Sequence, residues 1–69
     1  MLTEIPITFA SRVDAQRALT NVRKRYRIAL RGAVVTGPDY HKRYGVHAPL
    51  GGTGFSPAEF ASALHALRD

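Results

Sequence analysis

Apolar residues recur at two different periods along this chain. From Glu4 to Phe9 the period is two: Ile5, Ile7 and Phe9 alternate with Glu4, Pro6 and Thr8. That is the pattern of a half-buried strand. Pro6 has no N–H to give to a ladder, which places the strand at a sheet edge or in an extended arm. From Ser11 onward the period lengthens. Ala15, Ala18, Leu19, Val22, Tyr26, Ala29 and Leu30 fall on one side of a helix. Ser11 stands where a cap is needed, and Asp14 follows where a carboxylate completes a capping box and meets the positive end of the helix dipole. Gly32 is a C-terminal stop, and the late cations suit the negative end. The spacing predicts a helix from about Arg12 to Arg31. Residues 26–30 also alternate, so a strand there is the competing assignment.

Ala33, Val34, Val35 and Thr36 form a short β-branched run closed by Gly37-Pro38-Asp39, which reads as a strand and a turn. Residues 40–55 follow no single period; Val46 fits a second short strand returning beside Val34 and Val35. Ser56-Pro57-Ala58-Glu59 is a complete helix start, with a cap, a proline at the first helical position and a capping-box glutamate. The helix continues to about Leu67, with Phe60, Ala63, Leu64 and Leu67 as its buried stripe. These elements predict a small α+β domain. A short N-terminal edge strand leads into a long basic amphipathic helix, then a short β segment with a Gly-rich loop, then a capped C-terminal helix. A mainly α fold is the alternative. The expected core is Ile5, Ile7, Phe9, Leu19, Val22, Tyr26, Leu30, Val34, Phe60, Leu64 and Leu67.

At 69 residues the chain is one small domain, 1–69. A domain of this size buries only about 60% of the surface its unfolded chain exposes. There is no cysteine, so neither disulfides nor thiolate metal sites reinforce it. The small core predicts a homo-oligomer or a subunit of a larger assembly. No apolar run reaches the roughly 18 residues a bilayer span needs, and none is expected to meet a membrane. The first residues lack the basic and apolar regions of a signal peptide, so the expected location is cytoplasmic.

Charge narrows the choice of partner. Ten basic residues face five acidic ones, for a net charge of +5. Arginine outnumbers lysine eight to two, and guanidinium groups bind phosphate and carboxylate bidentately. Plain solubility or a GC-rich genome accounts for the same bias. The placement of the cations says more. Arg17, Lys24 and Arg31 line up along the polar side of the predicted helix, with Arg27 beside them. Ile28 falls among them, and an apolar residue between cations calls for a cover, either from this chain or from a partner. Tyr40, His41, Lys42, Arg43 and Tyr44 interleave aromatic and basic side chains, as happens where bases stack while phosphates are held.

Other chemistry has less support. Gly51, Gly52, Thr53 and Gly54 precede the Ser56 helix start, where backbone N–H groups can meet an anion. The run lacks the ending of a P-loop, and Pro57 stands where a dinucleotide-binding pattern has its last glycine. A flexible turn or partner-binding loop is the plainer assignment. Asp39, His41, His47 and His65 match no strong zinc spacing, so no metal and no cofactor are expected. Ser56, His47 and Asp39 supply the residue types of a triad, but Ser56 is explained as a cap and no paired carboxylates occur. The chain therefore reads as a non-enzymatic nucleic-acid-binding or nucleic-acid-associated accessory protein, electrostatic and weakly sequence-specific. Arg17, Lys24, Arg27, Arg31, Lys42 and Arg43 would hold phosphates. The alternative is a small protein-interaction module, such as a phage-type inhibitor, adaptor or structural subunit. It would bind an acidic protein through Ile28 and the 40–55 loop. A nucleotide-sequestering protein built on Gly51 to Gly54 is a third possibility.

Overall fold

Local sequence and tertiary burial together produce an α+β fold, seen in a computed structural model that describes residues 2–68. Strand β1 (Thr3–Phe9) leads into helix α1 (Arg12–Tyr26); β2 (Val34–Thr36) and β3 (Tyr44–Ala48) follow, and α2 (Pro57–Ala66) closes the chain. The strands form one antiparallel sheet in the order β1-β3-β2, which makes β1 an edge strand. Val35 pairs with Val46, as the β-branched run predicts. The register of β1 against β3 breaks between Ile5 and Thr8. Pro6, which has no N–H for the ladder, sits in that break.

Buried residues of both helices share one cluster with Ile5, Phe9, Val46 and Ala48, so both helices lie on one face of the sheet. The other face carries Glu4, His47 and Val34 in one row and Thr8, Gly45 and Thr36 in the next. The capping signal is met in full at α2 and in half at α1, where the serine caps but the Asp14 carboxylate does not return a bond to the Ser11 N–H. Ser11 Oγ accepts from the Asp14 N–H at 3.1 Å. At α2 the Ser56 hydroxyl accepts from the Glu59 N–H at 3.2 Å, and the Glu59 carboxylate accepts from the Ser56 N–H at 3.3 Å.

Helix α1 stops at Tyr26, well short of Arg31. Arg27 adopts a left-handed conformation (φ 53°, ψ 45°) and donates its N–H to the Arg23 carbonyl. The Ile28 N–H reaches the same carbonyl at 3.3 Å, a Schellman-type ending. On a continued helix Ile28 would stand in solvent between Lys24 and Arg31. Leaving the helix at Arg27 lets Ile28 pack against the core and buries Leu30 to 2% exposure. Burying such a side chain fully is worth about 1.5–3 kcal/mol. The left-handed backbone costs about 1–2 kcal/mol, so burial wins. Residues 27–33 form turns and irregular chain, which also removes the strand assignment for 26–30. Gly32 (φ 81°) serves the turn into β2 rather than ending a helix.

The core differs from the expected one in the same region. Tyr26 is 45% exposed, with its ring set edge-on to Phe55. Val34 is 42% exposed because the register points Val35 inward instead. Ile7 and Leu67 are only partly buried. Ala15, Ala18, Val46, Ala48, Leu50 and Ala63 complete the core.

Candidate nucleic-acid interface

Beside its buried stripe, α1 has two flanks, and α2 covers only one of them. There the Asn21 side-chain amide donates to the Leu67 carbonyl at 2.7 Å. Asp14, Arg43, His65 and Arg68 border a recess of about 230 Å³ on that side. The opposite flank carries Arg12, Gln16, Thr20, Arg23 and Arg27 at helical three- and four-residue steps, all exposed. Its upper end lies against β3, where the Arg12 guanidinium stands 5.7 Å from the Tyr44 ring centroid. Its lower end opens into a groove of about 600 Å³ lined by Thr20, Arg23, Lys24, Arg27, Ile28 and Ala29.

That groove is a product of the early helix stop. The left-handed turn at Arg27 drops the chain off the helix axis, and Ile28 and Ala29 then form an apolar wall beside the last turn of α1. The apolar residue among the cations is thus half-covered by its own chain. Cations at this end complement the negative helix dipole, which accounts for part of their number. They are not neutralised: among the described residues, no carboxylate pairs with Arg17, Arg23, Lys24, Arg27 or Arg31. A second concavity, of about 610 Å³, lies on the uncovered face of the sheet. Glu4, Asp39 and His47 line it and no Lys or Arg does, so its electrostatics oppose a polyanion.

The remaining sequence-predicted residues scatter. Arg17 stays beside Lys24 on the outer face of α1, but Arg31 lies in the turn beyond the helix, so the continuous line of Arg17, Lys24 and Arg31 does not form. The 40–44 cluster divides. Tyr44 belongs to β3 and packs under Arg12. Arg43 is a clamp between strands, donating from Nε to Thr8 Oγ1 at 2.7 Å and from Nη2 to the Thr8 carbonyl at 3.0 Å. Tyr40, His41 and Lys42 form the exposed tip of the β2–β3 hairpin.

Asp39 organises that tip. Its carboxylate accepts from the His41 N–H at 2.8 Å and the Arg43 N–H at 2.9 Å. The Arg43 N–H above all, with the His41 N–H and the charges of both residues behind it, holds the Asp39 carboxyl below its ordinary range, against a smaller opposing effect of desolvation. Backbone bonds from Asp39 N–H to the Arg43 carbonyl (2.8 Å) and from Lys42 N–H to the Asp39 carbonyl (2.9 Å) close the loop. Gly37 (φ 122°) enters it where a Cβ would stand 2.8 Å from the Arg43 carbonyl oxygen.

The Gly51–Gly54 segment folds onto itself. The Thr53 N–H and hydroxyl both donate to the Leu50 carbonyl, at 3.1 and 2.7 Å, and the Phe55 N–H donates to Thr53 Oγ1 at 3.2 Å. With the Ser56 N–H given to the Glu59 carboxylate and the Glu59 N–H to the Ser56 hydroxyl, the Thr53, Phe55, Ser56 and Glu59 N–H groups are all engaged within the segment and its cap. Among the described residues no group of three or more His, Asp or Glu side chains is placed to hold a metal. No described helix is long and apolar enough to cross a membrane.

The groove brings together Lys24, Arg27 and Ile28, which the sequence sets beside one another, and adds Thr20, Arg23 and Ala29, which the sequence pattern does not assign to a site. The signal that points to them is the alternation over 26–30. An α-helix cannot bury both Ile28 and Leu30, so the chain must turn there and create a concave end.

Fold and flank together define a small α+β domain with one open cationic side. No protein-family model matches the chain, and no curated protein or solved structure matches it.

Proposed function

We propose that this protein is a non-enzymatic, nucleic-acid-binding accessory protein whose contact is electrostatic and weakly sequence-specific. The observation that supports this is the groove at the end of α1, where Arg23, Lys24 and Arg27 face solvent without a carboxylate partner among the described residues. Phosphates bound there release counterions, a gain that carries no sequence information. The test is fluorescence anisotropy with labelled DNA and RNA oligonucleotides across a salt series. Log affinity should fall linearly with log salt, and alanine at Arg23, Lys24 or Arg27 should each lower the slope by about 1. Affinity that stays flat with salt, or no affinity at all, overturns the proposal.

The acidic-protein alternative draws on the same cations and on the apolar wall of Ile28 and Ala29. A tight stoichiometric complex with an acidic protein, alongside no oligonucleotide affinity, would favour it. Self-association or membership of a larger assembly, and a cytoplasmic location, belong to the same proposal. The small core and the uncovered sheet face support the first, and light scattering measures it.

A further inference from the structure

We infer that two copies of this chain pair antiparallel through the open edge of β2, and that a nucleic acid drives the pairing by lying between their α1 flanks. This rests on the α1 groove being a phosphate site, and it names the surface through which the protein self-associates.

The two edges of the sheet are built differently. A free edge offers unpaired N–H and C=O groups to another strand, and natural proteins block such edges. On β1, Pro6 and the register break interrupt the ladder, α2 packs against the strand, and the Arg43 guanidinium donates to the Thr8 carbonyl at 3.0 Å. Strand β2 has none of these. Val34, Val35 and Thr36 include no proline and no charge, and they keep an unbroken register against β3. Among the described residues, no backbone hydrogen bond from these three leads anywhere except β3. The groups that point away from β3 are therefore open. Val34, 42% exposed, adds an apolar side chain beside them.

Such an edge is its own complement. Antiparallel pairing about Val35 sets Val34 of one copy opposite Thr36 of the other, so the same surface serves both copies. It also brings the stretch entering one β2, with Arg31, beside the stretch leaving the other, with Asp39. The two-fold axis stands normal to the sheet, so the helices of both copies lie on one face.

Three residues make a short ladder, and a second contribution has to hold it. The placement of the helices supplies one. Helix α2 packs on β1, whereas α1 reaches all three strands. The flank of α1 turned away from α2 therefore lies on the β2 side. Ile28 and Ala29, the apolar wall of its groove, belong to the stretch that enters β2. Pairing through β2 sets two such flanks facing each other over the joined sheet. Arg12, Arg23 and Arg27 of one copy then oppose the same residues of the other. They repel each other when nothing lies between them, and they hold a polyanion from both sides when one does.

The test is sedimentation and anisotropy with single- and double-stranded DNA and RNA of about 12 nucleotides, where binding should be cooperative, with a Hill coefficient of about 2. The double variant Val34→Lys, Thr36→Lys charges the edge at two exposed positions and should stay folded by circular dichroism. Its Hill coefficient should fall to about 1, although the added cations leave the affinity of a single copy no lower. The chain has no cysteine, so Val35→Cys gives a second readout. Facing Cα atoms of an antiparallel pair are about 4.5–5.5 Å apart, within disulfide range. Mild oxidation should therefore link Val35→Cys into a dimer at least about ten-fold faster with oligonucleotide than without. Ser62→Cys, at an exposed position on α2, should show no such gain. Non-cooperative wild-type binding, cooperativity that survives the lysine variant, or equal linking of the two cysteine variants overturns this inference. The groove assignment survives those results if Arg23, Lys24 and Arg27 still set the salt slope. Loss of all salt-dependent binding removes both.

Discussion

Helices α1 and α2 are built by different means. Helix α2 begins at a box of reciprocal hydrogen bonds and presents Phe60, Ala63 and Leu64 to the core, all within a short stretch of sequence. Helix α1 also begins at a capping serine, but its far end is set by burial of residues that lie beyond it. One helix serves the core alone. The other divides its surface, with Ala15, Ala18, Leu19 and Val22 inward and, outward, a row of cations that no carboxylate among the described residues pairs with. The difference separates residues that hold the fold from residues that leave it almost untouched and remain free for a partner.

The sharpest way to test that division is at Phe60. It is fully buried and its ring meets Phe55 edge-on at 5.6 Å. Phe60→Ala should cost about 3–5 kcal/mol, comparable to the whole stability of a domain this small. Urea denaturation followed by circular dichroism should find the variant largely unfolded. Alanine at both Arg23 and Lys24, by contrast, should shift stability by less than about 1 kcal/mol per site, mainly through the lost dipole interaction. Unfolding of the double variant would show the cations to be part of the fold and would break the comparison.

Capping gives an intermediate effect. Ser56→Ala removes the hydroxyl that receives the Glu59 N–H and should destabilise by about 1 kcal/mol. For a domain of this size that lowers the melting temperature by roughly 4–8 °C. Ser11→Ala at α1 should act similarly, through the Asp14 N–H. A thermal scan that finds Ser56→Ala neutral would mean that Pro57 and packing alone fix the start of α2.

These caps are the part of the fold most legible in sequence, because a cap is decided by residues within one turn. The strand pairing of Val35 with Val46 was legible for a related reason, since β-branched residues at alternating positions leave few registers. The end of α1 was not legible from helical periodicity. Ala29 and Leu30 continue the apolar stripe of α1, and only competition between a left-handed residue and the burial of Ile28 and Leu30 ends the helix at Tyr26. The candidate site inherits that gap. Lys24, Arg27 and Ile28 were visible as neighbours, whereas their concavity with Thr20 and Ala29 depends on a turn that the helical period does not encode and that only the competing alternation over 26–30 signals. Arg43 was invisible as a clamp because its partner, Thr8, lies on another strand.

Arg27 is where the two kinds of residue meet. Its left-handed backbone is one that glycine adopts without penalty and that glycine usually fills at a helix end. Arg27→Gly relieves a strain of about 1–2 kcal/mol, partly offset by the greater freedom of glycine in the unfolded chain. The net expectation is a gain of about 0.5–1 kcal/mol in stability, measured by urea denaturation. The same change removes a groove cation, so the salt slope of nucleic-acid binding should fall by about 1 and affinity with it. Arg27→Ala separates the two effects: it removes the cation and keeps the left-handed residue, so binding should fall as in the glycine variant while stability stays near wild type. If Arg27→Gly destabilises the protein, the arginine side chain is holding the turn, and the groove is then a by-product of folding. If stability rises as binding falls, the position keeps a strained residue for the contact it makes, as strained residues at binding sites do.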